Sequence, residues 1–303
     1  MTAVAAVAAP RGHDAIRARV LAWYAAEKRN FPWRGATDPY AVLVSEVMLQ
    51  QTQASRVADR FVAFLARFPT AEALAAAPAS AVLAEWSGLG YNRRALALQR
   101  AAAAVSAEGW PTDVAGLEQL PGVGPYTARA IASLAFGTPV GVVDTNVRRW
   151  LLRRFGGPDA PARLQSLADA LASSGRGDDV AAWTHATMEL GAAVCSARAP
   201  RCESCPIAAG CPSRGMARPV PVPRQAPLLG SDRGYRGALV RQLSVAPGHE
   251  LAEHVARAGM PAGSGPALDD DGWERIVAAL ERDGLAHRRR GHLWLGRRHT
   301  IRQ

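Results

Sequence analysis

The sequence predicts a mainly α-helical protein that ends in a small α+β module. Three observations carry that expectation. Apolar residues recur at three- and four-residue spacing between Pro and Gly breaks from residue 39 to residue 194. No alternating strand pattern of useful length occurs before residue 230. Residues 218–225, RPVPVPRQ, form a stiff, extended run that marks a boundary. With 303 residues and roughly 150 per domain, two or so compact units are expected. Such a chain buries a sizeable core without help from disulfides. The expected division is a disordered leader (1–15), a helical domain (16–217), a linker (218–229) and a C-terminal module (230–303).

The elements follow in order. Asp38-Pro39 supplies a cap and a first-turn proline for a helix on which Tyr40, Leu43, Val44, Val47 and Met48 share a stripe. Helices are expected at 53–68, 70–77, 80–87, 93–108, 114–120, 126–136, 145–155, 161–173 and 179–194, separated by Gly-rich turns. After the linker, helices are expected at 235–244, 250–257 and 271–283, with a short strand at 292–295. Helices followed by a small hairpin look like a winged-helix module. Residues 287–303 hold six arginines and no acid, which suits either a solvated tail or a phosphate contact.

Thirty-six basic against 26 acidic residues leave a formal charge of +10. That balance favours a polyanionic partner, nucleic acid before an anionic membrane surface. No apolar run approaches the ~18–20 residues a membrane span needs. Lys28 is the only lysine; every other fixed cation is arginine.

All four cysteines, Cys195, Cys202, Cys205 and Cys211, lie in one short segment. That clustering points to a metal site in a reducing compartment rather than to disulfides. Zinc ribbons present two Cys-x-x-Cys knuckles, and only one is present here. Less regular spacing suits a four-iron four-sulfur cluster, with one thiolate per iron. Arg198 and Arg201 sit in the loop such a group would pin, pre-ordered for a phosphate backbone, so a structural DNA-docking role outranks electron transfer.

Leu120-Pro121-Gly122-Val123-Gly124-Pro125-Tyr126 joins two helical segments. Gly122 and Gly124 allow a tight turn and a close approach by another backbone. Pro125 suits the first position of the next helix, whose free amides make an anion site. This is a helix-hairpin-helix pattern, which grips DNA phosphates without reading sequence; an ordinary helix–helix turn is the plainer alternative.

Two carboxylates stand out. Glu46 lies beside the apolar stripe of its helix, where desolvation raises a carboxyl pKa and lets it hold a proton near neutrality. On position alone, a partly buried structural Glu paired with an arginine is the better explanation. Asp144 precedes the helix from Thr145 and can cap it, and donors at a helix start keep a carboxylate ionised. One protonated and one ionised carboxylate is the pair that glycosidic bond cleavage needs.

Taken together, SEVMLQQTQ, LGYNRRA, LPGVGPYTARA, VVDTNVRR and MELGAAVC with the four-cysteine loop resemble the adenine DNA glycosylase (MutY) family. That family lies in the helix-hairpin-helix superfamily that also holds endonuclease III. The likeness covers about residues 20–215. It implies a two-lobed helical glycosylase with an iron–sulfur loop, acting on double-stranded DNA that carries an adenine mispaired with 8-oxoguanine or guanine. By that resemblance Glu46 protonates the departing adenine and helps activate water, and Asp144 stabilises the cationic sugar. Tyr126 and Asn146 support the pair, and Arg34 is an active-site arginine. Gln51 and Tyr91 wedge into the duplex, with Gln50 beside them among the DNA-contacting residues. His185 stands where relatives place a Gln or Glu that touches adenine. The four cysteines hold one four-iron four-sulfur cluster.

Relatives that also cleave the backbone carry a lysine at the position of Tyr126. Its absence implies a monofunctional hydrolase that leaves an abasic site. The C-terminal module is shorter than the MutT-like domain of many members and resembles the short region of actinobacterial ones. A cytoplasmic, nucleoid-associated bacterial monomer is expected. The rival readings are a pyrimidine or mismatched-thymine glycosylase of the same superfamily, a DNA-binding scaffold without catalysis, and an electron-transfer protein.

Overall fold

A computed structural model describes residues 12–216, 228, 230–261 and 268–297. All of the expected linker but residue 228, most of the leader and the end of the basic tail lie outside these residues. The chain forms two compact units: Met1–Glu46 with Trp110–Pro223, and Val47–Gly109 with Arg224–Gln303.

The first unit contains α1 (His13–Glu27) and most of α2 (Pro39–Leu49). Asp38 caps α2 by accepting from the amides of Tyr40 and Ala41, both at 3.2 Å, a contribution of about 1 kcal/mol. The unit continues with α7 (Val114–Leu117), α8 (Pro125–Leu134), α9 (Thr145–Phe155), α10 (Pro161–Ala172) and α11 (Asp178–Glu189). Its core gathers Ile16, Val20 and Tyr24 of α1 with Trp150, Leu164, Leu171, Trp183 and Leu190, and runs on to Ile207 inside the cysteine loop. Residues 13–15, assigned above to the leader, are therefore helical. Apolar residues four apart on α1 bury one face, a pattern the Ala-rich text around it obscures.

The expected helix at 179–194 also needs correction. The α-helix stops at Glu189 and gives way to a π-turn, Leu190–Val194, closed by the amide of Cys195 on the Leu190 carbonyl at 2.7 Å. Gly191 is pressed against α9. A Cβ there would come within 2.5 Å of the Asn146 carbonyl oxygen, closer than any side chain allows.

The second unit holds α3 (Ala54–Arg67), α4 (Ala71–Ala76), α5 (Ala79–Glu85) and α6 (Arg93–Glu108), with Phe64, Leu74, Leu83 and Trp86 fully buried. The C-terminal module runs α12 (Asp232–Val245), β1 (Glu250–Ala252), α13 (Glu253–Ala258), α14 (Asp270–Arg282), β2 (Ala286–Arg289) and β3 (His292–Leu295). Its antiparallel sheet has the order β1-β3-β2, with Leu251 opposite Leu293 and Arg288 opposite Leu293 on the other side. Helices followed by a hairpin agree with the winged-helix-like expectation. The expected helix at 250–257 is half strand, because pairing with β3 claims Glu250–Ala252 first. The module packs on α5 through α12 and β3; the Ser244 hydroxyl reaches that of Ser87 at 3.1 Å.

Candidate active site

Glu46 lies on α2 with 4% of its surface exposed. The Tyr126 hydroxyl, from the first turn of α8, donates to its carboxyl. Burial pushes the Glu46 pKa up to about 7; the negative charge of Asp144 adds to this, while the Tyr126 hydrogen bond and the Arg34 cation oppose it. Tyr126 is half-buried as a residue, but its hydroxyl is enclosed, and its pKa is driven well up by burial and then by the two carboxylates. The phenol therefore keeps its proton and remains a donor.

Asp144 caps α9. Its Oδ1 accepts from the Val147 amide at 2.6 Å and its Oδ2 from the Asn146 side-chain amide at 2.7 Å. Donors at the helix start were expected to hold this group low. Burial exceeds them, so the net direction is upward, with the Val147 and Asn146 hydrogen bonds limiting the rise. Asp144 is nonetheless the better-solvated member of the pair. A helix-terminal amide and a side-chain amide serve it, whereas Glu46 has one phenol. These donors favour the ionised form of Asp144 more than the single phenol favours that of Glu46.

A cationic wall adjoins the pair. The side chain of Glu189 at the end of α11 is fully buried and takes two arginines. Arg34 Nη2 donates to its Oε2 at 2.6 Å and Arg29 Nη2 to the same oxygen at 3.2 Å, with Arg29 Nε on Oε1. Arg34 also donates to the Tyr24 hydroxyl at 3.0 Å, and Phe31 stacks on Trp33 at 4.9 Å. Sequence reasoning quoted Glu189 within MELGAAVC without giving it a role. The available signal was a carboxylate set in an apolar run. His185, one turn earlier on α11, is buried; desolvation first, then Arg34 and Lys28, push its pKa down to about 3. It is a neutral imidazole, one donor and one acceptor, at any physiological pH.

The cysteine loop hangs from α9. Arg149 donates to the Cys195 carbonyl at 2.7 Å, the Gly191 carbonyl at 2.6 Å and Asn146 Oδ1 at 2.8 Å. Arg153 reaches the Ser196 and Ala197 carbonyls at 2.7 and 3.0 Å and lies 3.4 Å from Cys195 Sγ. All four cysteines line one pocket, with Arg153, Val194 and Pro200. Burial, and then the proximity of the other three thiols, raise the Cys205 pKa. Four such sulfurs suit a polycationic occupant. Arg201 folds back on the Ala193 carbonyl at 3.0 Å and so braces the π-turn, while Arg198 is exposed.

In the hairpin, α7 turns into α8 through Gly122 at φ +79°, and the Val123 amide closes the turn on Leu120 at 3.0 Å. Gly124 caps α8 with open space where a Cβ would stand, and Pro125 takes the first helical position.

Gln50, Gln51 and Tyr91 lie in the second unit. Gln51 and Tyr91 are non-glycine residues with left-handed backbones, φ 56° and 48°, a conformation costing about 1–2 kcal/mol. One arginine holds both segments. Arg94 donates to the carbonyls of Val47 at 2.6 Å, Met48 at 3.3 Å and Gly90 at 3.1 Å, and also to Gln50 and Leu89. It reaches Thr52 Oγ1 at 3.2 Å as well, and its guanidinium lies 5.5 Å from the Tyr91 ring centre.

Comparison with known proteins accords with this geometry. Residues 44–172 match the family model described as HhH-GPD superfamily base excision DNA repair protein. An adenine DNA glycosylase of Mycolicibacterium smegmatis is 44% identical, covering 73% of this chain and 78% of the relative. One from Mycobacterium tuberculosis is 41% identical over 75% and 78%. The human adenine DNA glycosylase is 43% identical over 66% of this chain and 39% of its own length. A solved thermostable thymine-DNA glycosylase superposes with a TM-score of 0.62 at 28% identity, over 68% of this chain and 97% of that one. An endonuclease III trapped covalently on DNA shares the fold at a TM-score of 0.56 and 24% identity, over 67% of this chain and 97% of that one. Identity above 40% across most of a relative's length means that the chain belongs to the adenine DNA glycosylase family.

Proposed function

We propose that this chain removes adenine mispaired with 8-oxoguanine or guanine in duplex DNA, hydrolysing the N-glycosidic bond and leaving an abasic site. The carrying observation is Glu46, a buried carboxyl poised at a pKa of about 7 and held by the Tyr126 hydroxyl. Adenine leaves poorly as an anion. Glu46 gives its proton to a ring nitrogen as the bond between C1′ and N9 breaks, and the bonding pair departs with the base. Asp144, carrying the negative charge, stabilises the cationic sugar in a water-poor pocket. The carboxylate left on Glu46 then takes a proton from the attacking water.

Arg34 and neutral His185 supply donors and an acceptor for the base edge. Gln50, Gln51 and Tyr91 fill the space it vacates, and a mispaired base costs less to extrude. The α8 amides behind Gly122 and Gly124, with Arg198 and Arg201, hold phosphates. Cys195, Cys202, Cys205 and Cys211 would hold a four-iron four-sulfur cluster, which supplies a rigid anchor for their loop. Among the described residues no three His, Cys, Asp or Glu are arranged to hold a single metal ion. The enzyme works as a monomer on bacterial DNA in the cytoplasm. Among the described residues no helix is long and apolar enough to cross a membrane.

The test is single-turnover excision on duplexes with adenine opposite 8-oxoguanine, guanine and cytosine, followed by alkali to reveal abasic sites. Strand breaks should appear only after alkali, fastest for 8-oxoguanine. Comparable rates on all three would remove the lesion preference and leave the glycosylase; removal of thymine instead would favour the rival superfamily reading.

A further inference from the structure

The C-terminal module grips the segment that carries Tyr91. Arg233, in the first turn of α12, donates through Nη1 to the Tyr91 hydroxyl at 3.0 Å, and its guanidinium lies 6.0 Å from the ring centre. Arg94 lies near the same ring, 5.5 Å from its centre, so two cations stand close to the phenol. Arg233 is itself well placed. Ser231 caps α12 by accepting from the Gly234 amide at 3.2 Å, and Asp232 next to it pairs with Arg275 at 3.1 Å. Two further links flank Tyr91. Ser87 meets Ser244 of α12 at 3.1 Å, and Arg93 lies 3.6 Å from Asp283, which also pairs with Arg236. The strained, exposed tyrosine is thus held from the module side at residues 87, 91 and 93.

We propose that Arg233 is a positioning residue for Tyr91, through which the C-terminal module takes part in opening the duplex. The inference rests on the reading of Tyr91 as a wedge. A phenol displacing a stacked base meets lateral force. A ring anchored at its hydroxyl, with two cations close by, keeps its rotamer under that force, whereas one anchored only at its backbone swings aside. The hydroxyl is the acceptor, so phenylalanine preserves the wedge and loses the anchor.

The test compares single-turnover excision by the full chain on two duplexes: adenine opposite 8-oxoguanine, and adenine opposite an abasic gap, where no partner base resists. Arg233→Ala and Tyr91→Phe should each lower the ratio of mispair rate to gap rate about five- to tenfold, the net worth of one hydrogen bond at an exposed site. The double variant should be no worse than either single, and Arg233→Lys should recover part of the ratio. Tyr91→Ala should lower it further. Equal slowing on both duplexes, additive losses, or unchanged ratios for Arg233→Ala and Tyr91→Phe beside a slow Tyr91→Ala would overturn the role of Arg233 and leave the wedge. A Tyr91→Ala ratio equal to wild type would overturn the wedge itself, and Arg233 with it. Matching thermal melts exclude misfolding as the cause.

Discussion

Glu189 and Arg94 are charges drawn from water in different units, and they are satisfied in opposite ways. Glu189 is answered by charge: two guanidinium groups converge on one carboxylate. Arg94 is answered by dipoles: its hydrogen-bond partners are backbone carbonyls and one hydroxyl, and desolvation pushes its pKa down to about 10. The difference separates two kinds of control. Around Glu189 the groups set protonation, since Arg34 pulls down the pKa values of both Glu46 and His185. Around Arg94 they set backbone shape, keeping Gln51 and Tyr91 in a conformation their side chains disfavour. Damage to the first region should be read in pH profiles, and damage to the second in substrate geometry.

The largest effect expected is at Glu46. Glu46→Gln should slow excision by about 10²–10⁴-fold, the usual worth of a placed acid–base group, and wild-type rates should fall above a pH of about 7 as the acid loses its proton. The same substitution has the opposite effect on stability. The folded carboxyl keeps its proton up to about 7, against an ordinary value of 4.5 when unfolded, so wild-type stability falls as pH rises through that window. Glu46→Gln has no proton to lose and should gain relative stability by up to about 3 kcal/mol above it. Urea denaturation at pH 5 and pH 8 measures this, and an equal difference at the two values would contradict the buried, protonated acid.

Arg94→Lys should come next. An ammonium cannot span the same carbonyls, so excision from the mispair should drop about tenfold, one to two lost hydrogen bonds' worth, with the pH midpoint left in place. A shifted midpoint would erase the contrast drawn here. Gln51→Gly should give the smallest change. It relieves a left-handed strain and should raise stability by at most about 1 kcal/mol, seen as a higher melting temperature, while slowing excision through loss of the side chain.

Much of this was legible before any coordinates. Asp38 and Asp144 announce themselves as caps because an N-cap is a local event, readable within four residues. The four cysteines announce a shared pocket by crowding. Glu189 does not, since its partners Arg29 and Arg34 stand 160 and 155 residues away. Nothing near Arg149 and Arg153 in the chain ties them to the cysteine loop, whose carbonyls they hold from 46 and 43 residues away. The strand Glu250–Ala252 was hidden because its partner, His292–Leu295, lies some forty residues on, and three residues carry no period of their own. The role of Arg233 was equally out of reach, as nothing around it in the chain refers to Tyr91.

The absent side chain at Gly191 has a consequence for how this unit opens. Backbone lies directly on backbone there, with no rotamer between them to absorb a shift. The start of α9, which presents Asp144 and Asn146, and the π-turn leading to Cys195 cannot breathe separately. Their amide protons should therefore exchange with solvent as one unit, at matching rates.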